Sequence, residues 1–254
     1  MPWYPGATMM KLLNTIKVDE ADDFTQFRFQ VQYVNRPNLD FRGFAGTVGS
    51  GHVRVGDVIV ALPSGKESTV KSIVTFEGEI ERADKGMAVT LTLTDEIDIS
   101  RGEMIVKKDN LPQTSKEFNA NVVWMHDNEL EAGREYYIKQ GSKMTTGHAL
   151  SFGHRIDVNT LEHSDVTQLS LNEIGSVNFE VAEALHFDTY CENRATGAFI
   201  IIDRLSNITV GAGMISGAID SQNTHEYSAF ELEFNQLVRK HFPHWGARDI
   251  NKLG

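Results

Sequence analysis

Chemically capable residues cluster in a few short stretches. Gly46-Thr47-Val48-Gly49-Ser50-Gly51-His52-Val53 opens like a phosphate-binding loop, with four residues between Gly46 and Gly51. Such a loop next needs a lysine for the phosphates and a Ser or Thr for magnesium, and His52 and Val53 stand there instead. No helical pattern follows to aim its N-terminal dipole at a phosphate, so the stretch reads as a Gly-rich hairpin between strands. Gly211-Ala212-Gly213 falls one residue off a dinucleotide fingerprint, lies outside any βαβ unit and reads as a strand-end turn. Asn251-Lys252-Leu253-Gly254 starts like a guanine-reading Asn-Lys-x-Asp but ends without the carboxylate.

Metal and nucleophile patterns also break off. His241 and His244 are three apart with Asp249 nearby, but Pro243 interrupts the helix that would aim both imidazoles at one ion. Cys191 sits beside Glu192, and a neighbouring carboxylate raises a thiol pKa, the reverse of activation. No Gly-x-Ser-x-Gly elbow exists. The carboxylate groups Glu79/Glu81 and Asp95/Glu96/Asp98 read as solvated turn residues of hairpins. The residues therefore nominate no catalytic, cofactor-binding or metal-binding set.

The elements that would carry these residues are mostly strands. Residues 8–16 are the first exception: Met9, Leu12, Leu13 and Ile16 fall on one helical face, with Thr8 as N-cap. From Phe24 the period becomes two, and short strands are expected at 27–31, 44–48, 52–55, 58–62, 68–76, 88–94 and 104–107. Residues 111–115 read as a boundary. Strands resume at 118–125, 134–139, 145–152, 176–181 and 198–203, with 164–172 ambiguous. Ser228-Ala229-Phe230-Glu231 is a capping box, and Phe230, Phe234, Leu237 and Val238 form an apolar stripe that Pro243 ends. Short strands without intervening helices indicate barrels or sandwiches, not a parallel sheet.

Composition agrees. The 254 residues are 41% hydrophobic and 23% charged, enough for two ordinary cores. The net charge is -11, and residues 220–254 hold five acidic against four basic side chains, so ten of the excess negative charges lie earlier. That balance weighs against nucleic-acid backbones and anionic membranes as main partners. A single cysteine rules out an internal disulfide and fits a reducing compartment. No apolar run approaches a membrane span, and the N-terminus lacks the basic start of a signal peptide.

Longer motifs carry a resemblance. Phe27-Arg28-Phe29, Gly43-Phe44-Ala45-Gly46-Thr47-Val48, Gly51-His52-Val53-Arg54-Val55-Gly56-Asp57, Ile73-Val74-Thr75-Phe76 and Ile99-Ser100-Arg101-Gly102-Glu103 resemble the second domain of translation-type GTPases. Gln32-Tyr33-Val34-Asn35-Arg36-Pro37-Asn38-Leu39-Asp40-Phe41-Arg42-Gly43 and Leu93-Thr94-Asp95-Glu96-Ile97-Asp98 are similar to the GTPase-type large subunits of bacterial sulfate adenylyltransferase. So are Val122-Val123-Trp124-Met125, Ile200-Ile201-Ile202-Asp203-Arg204-Leu205-Ser206-Asn207 and His241-Phe242-Pro243-His244-Trp245-Gly246-Ala247-Arg248-Asp249.

The resemblance implies an all-β fold: two consecutive antiparallel β-barrels of the elongation-factor-Tu domain 2 and domain 3 type, with a C-terminal helix. The expected division is a linker and short helix at 1–23, one barrel at 24–112, a second at 113–220, and the helix and tail at 221–254. It further implies a GTPase domain ahead of Met1, so GTP and magnesium are expected only in a full-length subunit and none in this chain. The expected partners are that GTPase domain and a small catalytic subunit, joined in a cytoplasmic heterodimer, with no nucleic acid or membrane. In this family GTP hydrolysis drives ATP and sulfate to adenosine 5′-phosphosulfate and pyrophosphate, and the barrels couple the two. Alone the chain is expected to be no enzyme, although part of a nucleotidyltransferase of sulfate assimilation and cysteine biosynthesis. Arg36, Phe41 and Arg42, in a presumed loop over 35–42, are the partner-interface candidates. The alternatives are a tRNA-binding barrel pair of a translation elongation factor and a free-standing small-molecule-binding β protein. Titration calorimetry of this chain with GTP and magnesium should show no binding heat, and tight binding would contradict the coupling-module reading.

Overall fold

The computed structural model describes residues 5–16, 25–38 and 41–219, and residues 234, 235, 237 and 238. Residues up to Ala218 form one compact unit and those from Ile219 a second. The first begins with helix α1 (Met9–Thr15), where Thr8 Oγ1 accepts from the Lys11 N–H as the expected N-cap. Its apolar residues Met9, Leu12, Leu13 and Ile16 are exposed.

Nine strands follow: β1 (Arg28–Asn38), β2 (Phe41–Ser50), β3 (His52–Arg54), β4 (Val58–Leu62), β5 (Lys66–Thr75), β6 (Gly78–Ile80), β7 (Arg82–Asp84), β8 (Ala88–Leu93) and β9 (Met104–Lys107). Seven join in the order β4-β9-β1-β2-β8-β5-β6, and β4 also pairs with β5, closing a barrel. β3 and β7 form a separate ribbon. Inward residues alternate along each strand, as period-two burial demands: Phe29 and Val31, Phe44 and Val48, Val89 and Leu91 are buried in one core.

A second barrel contains β10 (Gln113–Trp124), β11 (Tyr136–Gln140), β12 (Lys143–Ile156), β13 (His163–Asp165), β14 (Ile174–Phe187), β15 (Ala198–Asp203) and β16 (Thr209–Ala218). Its order is β11-β15-β16-β10-β14-β12-β13, and the β11–β12 pairing closes it. The short helix α2 (Arg194–Gly197) precedes β15. Phe118 lies at the centre of this core, its ring 5.4–5.8 Å from those of Phe179, Phe187 and Phe199. These are the two barrels that the alternation and the resemblance predict.

Four local expectations need correction. Residues 111–115 are not wholly a boundary, because β10 starts at Gln113, which pairs with Phe187. Residues 164–172 supply the end of β13 and a bridge from Leu169 to Leu130. Residues 35–38 and 41–42 are strand rather than loop: β1 runs to Asn38 and β2 starts at Phe41, with Asn38 opposite Phe41. Gly211-Ala212-Gly213 is not a turn but the interior of β16, hydrogen-bonded to β10 and β15. There glycine is needed for space: a Cβ on Gly213 would lie 2.2 Å from Phe199 Cζ, and one on Gly211 3.0 Å from Trp124 Cε3. Close ring-over-backbone packing, not ligand chemistry, accounts for the Gly-x-Gly pattern.

The capping box at 228–231 lies outside the described residues, as do His241, His244, Asp249 and 251–254. Phe234, Asn235, Leu237 and Val238 are helical, with Val238 buried and Phe234 and Leu237 exposed.

Gly213→Ala should force the Phe199 ring aside and cost about 1–3 kcal/mol. Urea denaturation checks this, and Gly217→Ala, whose Cβ meets nothing within 4 Å, is the control on the same strand.

Candidate functional site

Two places join charged side chains to shape: the β1–β2 hairpin end and the joint between the barrels. At the hairpin end the ring of Phe41 lies over Gly43, whose Cβ would sit 2.8 Å from Phe41 Cε1 and 2.4 Å from Thr90 Cγ2. Arg42 Nη2 donates to Asp98 Oδ1 at 2.7 Å, and its guanidinium stands 5.8 Å from the Phe44 ring centroid. The same guanidinium holds the Asp98 carboxyl below the usual carboxylate range, mainly through this hydrogen bond. Arg42 Nε is shielded from solvent and has no hydrogen-bond partner. Phe41 and Arg42 line a cavity of about 290 Å³ with Phe44, Lys71, Glu79 and Asp95. Arg36 is exposed on the last residues of β1 and is not among its lining. The structure therefore brings two of the three interface candidates together.

The joint was not visible as a site in the sequence. Arg28 clasps Asp188 with two bonds, Nε to Oδ2 at 2.9 Å and Nη2 to Oδ1 at 2.8 Å. Their side chains are 1% and 7% exposed. Arg28 also donates to Asn110 O, Phe27 O and Gln26 Oε1. Asp188 Oδ2 accepts further from Thr196 Oγ1 at 2.7 Å and Asn193 Nδ2 at 3.2 Å. Asn193 crosses to Ser50 Oγ at 3.0 Å, while its Oδ1 caps α2 at Ala195 N. A second seam lies alongside, where Ser142 Oγ donates to Val31 O at 2.9 Å. Gly141, with φ +54°, presents its backbone to Gln30, and any side chain there would overlap Gln30 Oε1. His186 lies half-buried beside this seam, its pKa pushed down by burial and then by Lys143.

Alternation along Phe27-Arg28-Phe29 held the signal: both phenylalanines face the barrel core, so Arg28 must face outward. Strand logic alone then places Arg28 in solvent. It is buried because the second barrel covers that face.

The remaining motifs resolve into structure. Gly46 to Ser50 lie within β2, and no helix follows them. Cys191 is exposed. Asp95 accepts from Ser68 Oγ and Thr94 Oγ1, so it serves a turn. In Asp203-Arg204-Leu205-Ser206-Asn207, Asp203 Oδ2 accepts from the N–H groups of Leu205 and Ser206 and the Ser206 hydroxyl. The Ser206 N–H and hydroxyl, with Arg134, hold Asp203 down to about 2. Among the described residues, no three or more of His, Cys, Asp or Glu converge as metal ligands.

Comparison with known proteins follows this geometry. Residues 117–216, most of the second barrel, match the family described as GTP-eEF1A C-terminal domain-like. Sulfate adenylyltransferase subunit 1 of Colwellia psychrerythraea is 73% identical over 99% of this chain, and that of Psychromonas ingrahamii is 63% identical over 100%. The chain spans about half the length of these relatives, 54% of each. Among solved structures, sup35 complexed with GDP superposes with a TM-score of 0.72 at 16% identity, over 86% of this chain and 54% of that one. Translation elongation factor SelB from Methanococcus maripaludis superposes at 0.63 with 21% identity, over 83% and 46%. These structures share the fold.

Removing one partner of the joint leaves a buried charge unpaired, so Arg28→Ala should cost about 3–5 kcal/mol. The double variant Arg28→Met with Asp188→Leu should recover most of that loss, as thermal unfolding of both variants beside the wild type would report.

Proposed function

We propose, from the premise that this chain is homologous over nearly its whole length to sulfate adenylyltransferase subunit 1, that it is the non-catalytic barrel region of that subunit. Its role is to couple GTP hydrolysis, performed on a GTPase domain of the same subunit, to formation of adenosine 5′-phosphosulfate by a small catalytic subunit in the cytoplasm. The observation that carries this reading is the buried Arg28–Asp188 clasp. It holds two barrels in one fixed relation, as a part that transmits displacement between neighbours must be held. On this reading GTP and magnesium bind elsewhere in the subunit.

A tRNA-gripping barrel pair is the second reading, favoured by the likeness to translation elongation factor SelB. Against it stands the charge, ten of eleven excess negatives lying before Asp220, which repels a phosphate backbone.

The Phe41–Arg42 cavity is the first place to test docking. With purified small catalytic subunit, the chain should bind measurably by calorimetry, and Arg42→Glu should weaken binding about tenfold or more, as loss of an arginine anchor does. No binding by the wild-type chain, with a salt-sensitive gel shift of tRNA instead, would overturn the proposal in favour of the second reading.

A further inference from the structure

The outer wall of the first barrel carries a second anomaly, and it begins with a register shift. Along β1, Phe29 and Val31 point into the core, so simple alternation would send Tyr33 inward as well. The pairing slips between Val31 and Tyr33: Val31 is opposite Gly46, yet Tyr33 is opposite Ala45. One extra residue is absorbed, Val34 packs on the core instead, and Tyr33 turns out to 64% exposure. Across the barrel the row continues from Ala45 to Thr90 and from Thr90 to Val74. Beside it Thr47 is opposite Ala88. At the end of β5 the hairpin tip lifts Phe76 clear of the surface, at 107% exposure.

From Tyr33 to Val74, and from Thr47 to Ala88, these rows hold no charged residue, in a chain that is 23% charged. The hollow between them, about 370 Å³, is lined by Gln32, Ala45, Val74, Phe76, Ala88 and Thr90 among other uncharged residues. Two solvated aromatics over a floor of Ala and Thr have the composition of an interface centre, where charge is depleted and aromatics anchor. Exposing Phe76 to water has no folding benefit, because it packs on nothing. The face is also continuous with the Arg42 cavity, since Thr92 and Ser72, which line that cavity, extend the same strand pairs.

The occupant is constrained by charge. A nucleic acid or an anionic bilayer would need a cluster of cations here, and the lining of the hollow has no cation. A second copy of this chain would bring another -11. The rim beyond Val74 is acidic: Glu79 is its partner on β6, and Glu77 follows Phe76. We infer that the Tyr33–Phe76 face is a docking surface for a folded protein partner that presents an apolar knob flanked by basic side chains. Resting on the function proposed above, that partner is the small catalytic subunit.

The test uses the chain and the purified small catalytic subunit. Tyr33→Ala with Phe76→Ala should weaken their binding at least about tenfold, as loss of aromatic anchors does. Thermal unfolding should stay unchanged, because both side chains lie outside the core. Ala45→Arg, which puts a charge on the floor, should weaken binding similarly. Glu79→Lys should lower the association rate and its salt dependence. Unaltered affinity in the first two variants, while wild-type binding persists, would overturn this inference alone. A wild-type chain that ignores the small subunit would overturn it together with the proposed function. Sedimentation showing a wild-type dimer that Phe76→Ala dissolves would also overturn it, in favour of self-association.

Discussion

The relative placement of the two barrels rests on one buried ion pair. Arg28 and Asp188 are 160 residues apart, and each would be expensive to bury alone. Together they are bidentate, and their spare lone pairs and protons are met by Asn110, Gln26, Thr196 and Asn193. A network satisfied to this degree in a low-dielectric seam tolerates little sliding, because any slip strands a charge. The pair therefore specifies relative position more than it adds stability. Asn193 ties the same seam to Ser50 on β2, and Gly141 fits against Gln30, so contacts of different chemistry agree on one arrangement.

With the joint fixed, the outer walls become the places where partners can act. Barrel strands have two faces, and the inner one is committed to Phe, Val, Ile and Leu. What the outer face carries is then a matter of recognition. The strip from the Arg42 cavity to Phe76 carries an arginine with a shielded, unpaired Nε and then an uncharged floor. A coupling part needs such fixed anchors more than it needs reactive groups, and the conversion of apparent nucleotide motifs into strand interiors is consistent with that. Gly46 and Gly213 serve ring packing against Phe29 and Phe199.

Much of the architecture was legible beforehand. Period-two alternation located most strands, and the Thr8 cap located α1, because these depend on neighbours within a few residues. β16 was missed because two glycines within three residues look like a turn unless the rings that need the space are known. Residues 35–38 and 41–42 look like a loop in the sequence because Pro37 and Asn38 are turn formers, while pairing between β1 and β2 extends both strands regardless.

By itself the sequence determined the fold class, the inward set of most strands and the family resemblance, since all three are written in local periodicity and continuous motifs. Only the tertiary structure decided that Arg28 is buried, that Tyr33 faces out, and that Phe41 and Arg42 share a cavity without Arg36. The reason is the same each time. Which face a barrel strand buries follows from its own alternation, but what covers the other face depends on residues more than a hundred positions away or on a one-residue slip in pairing.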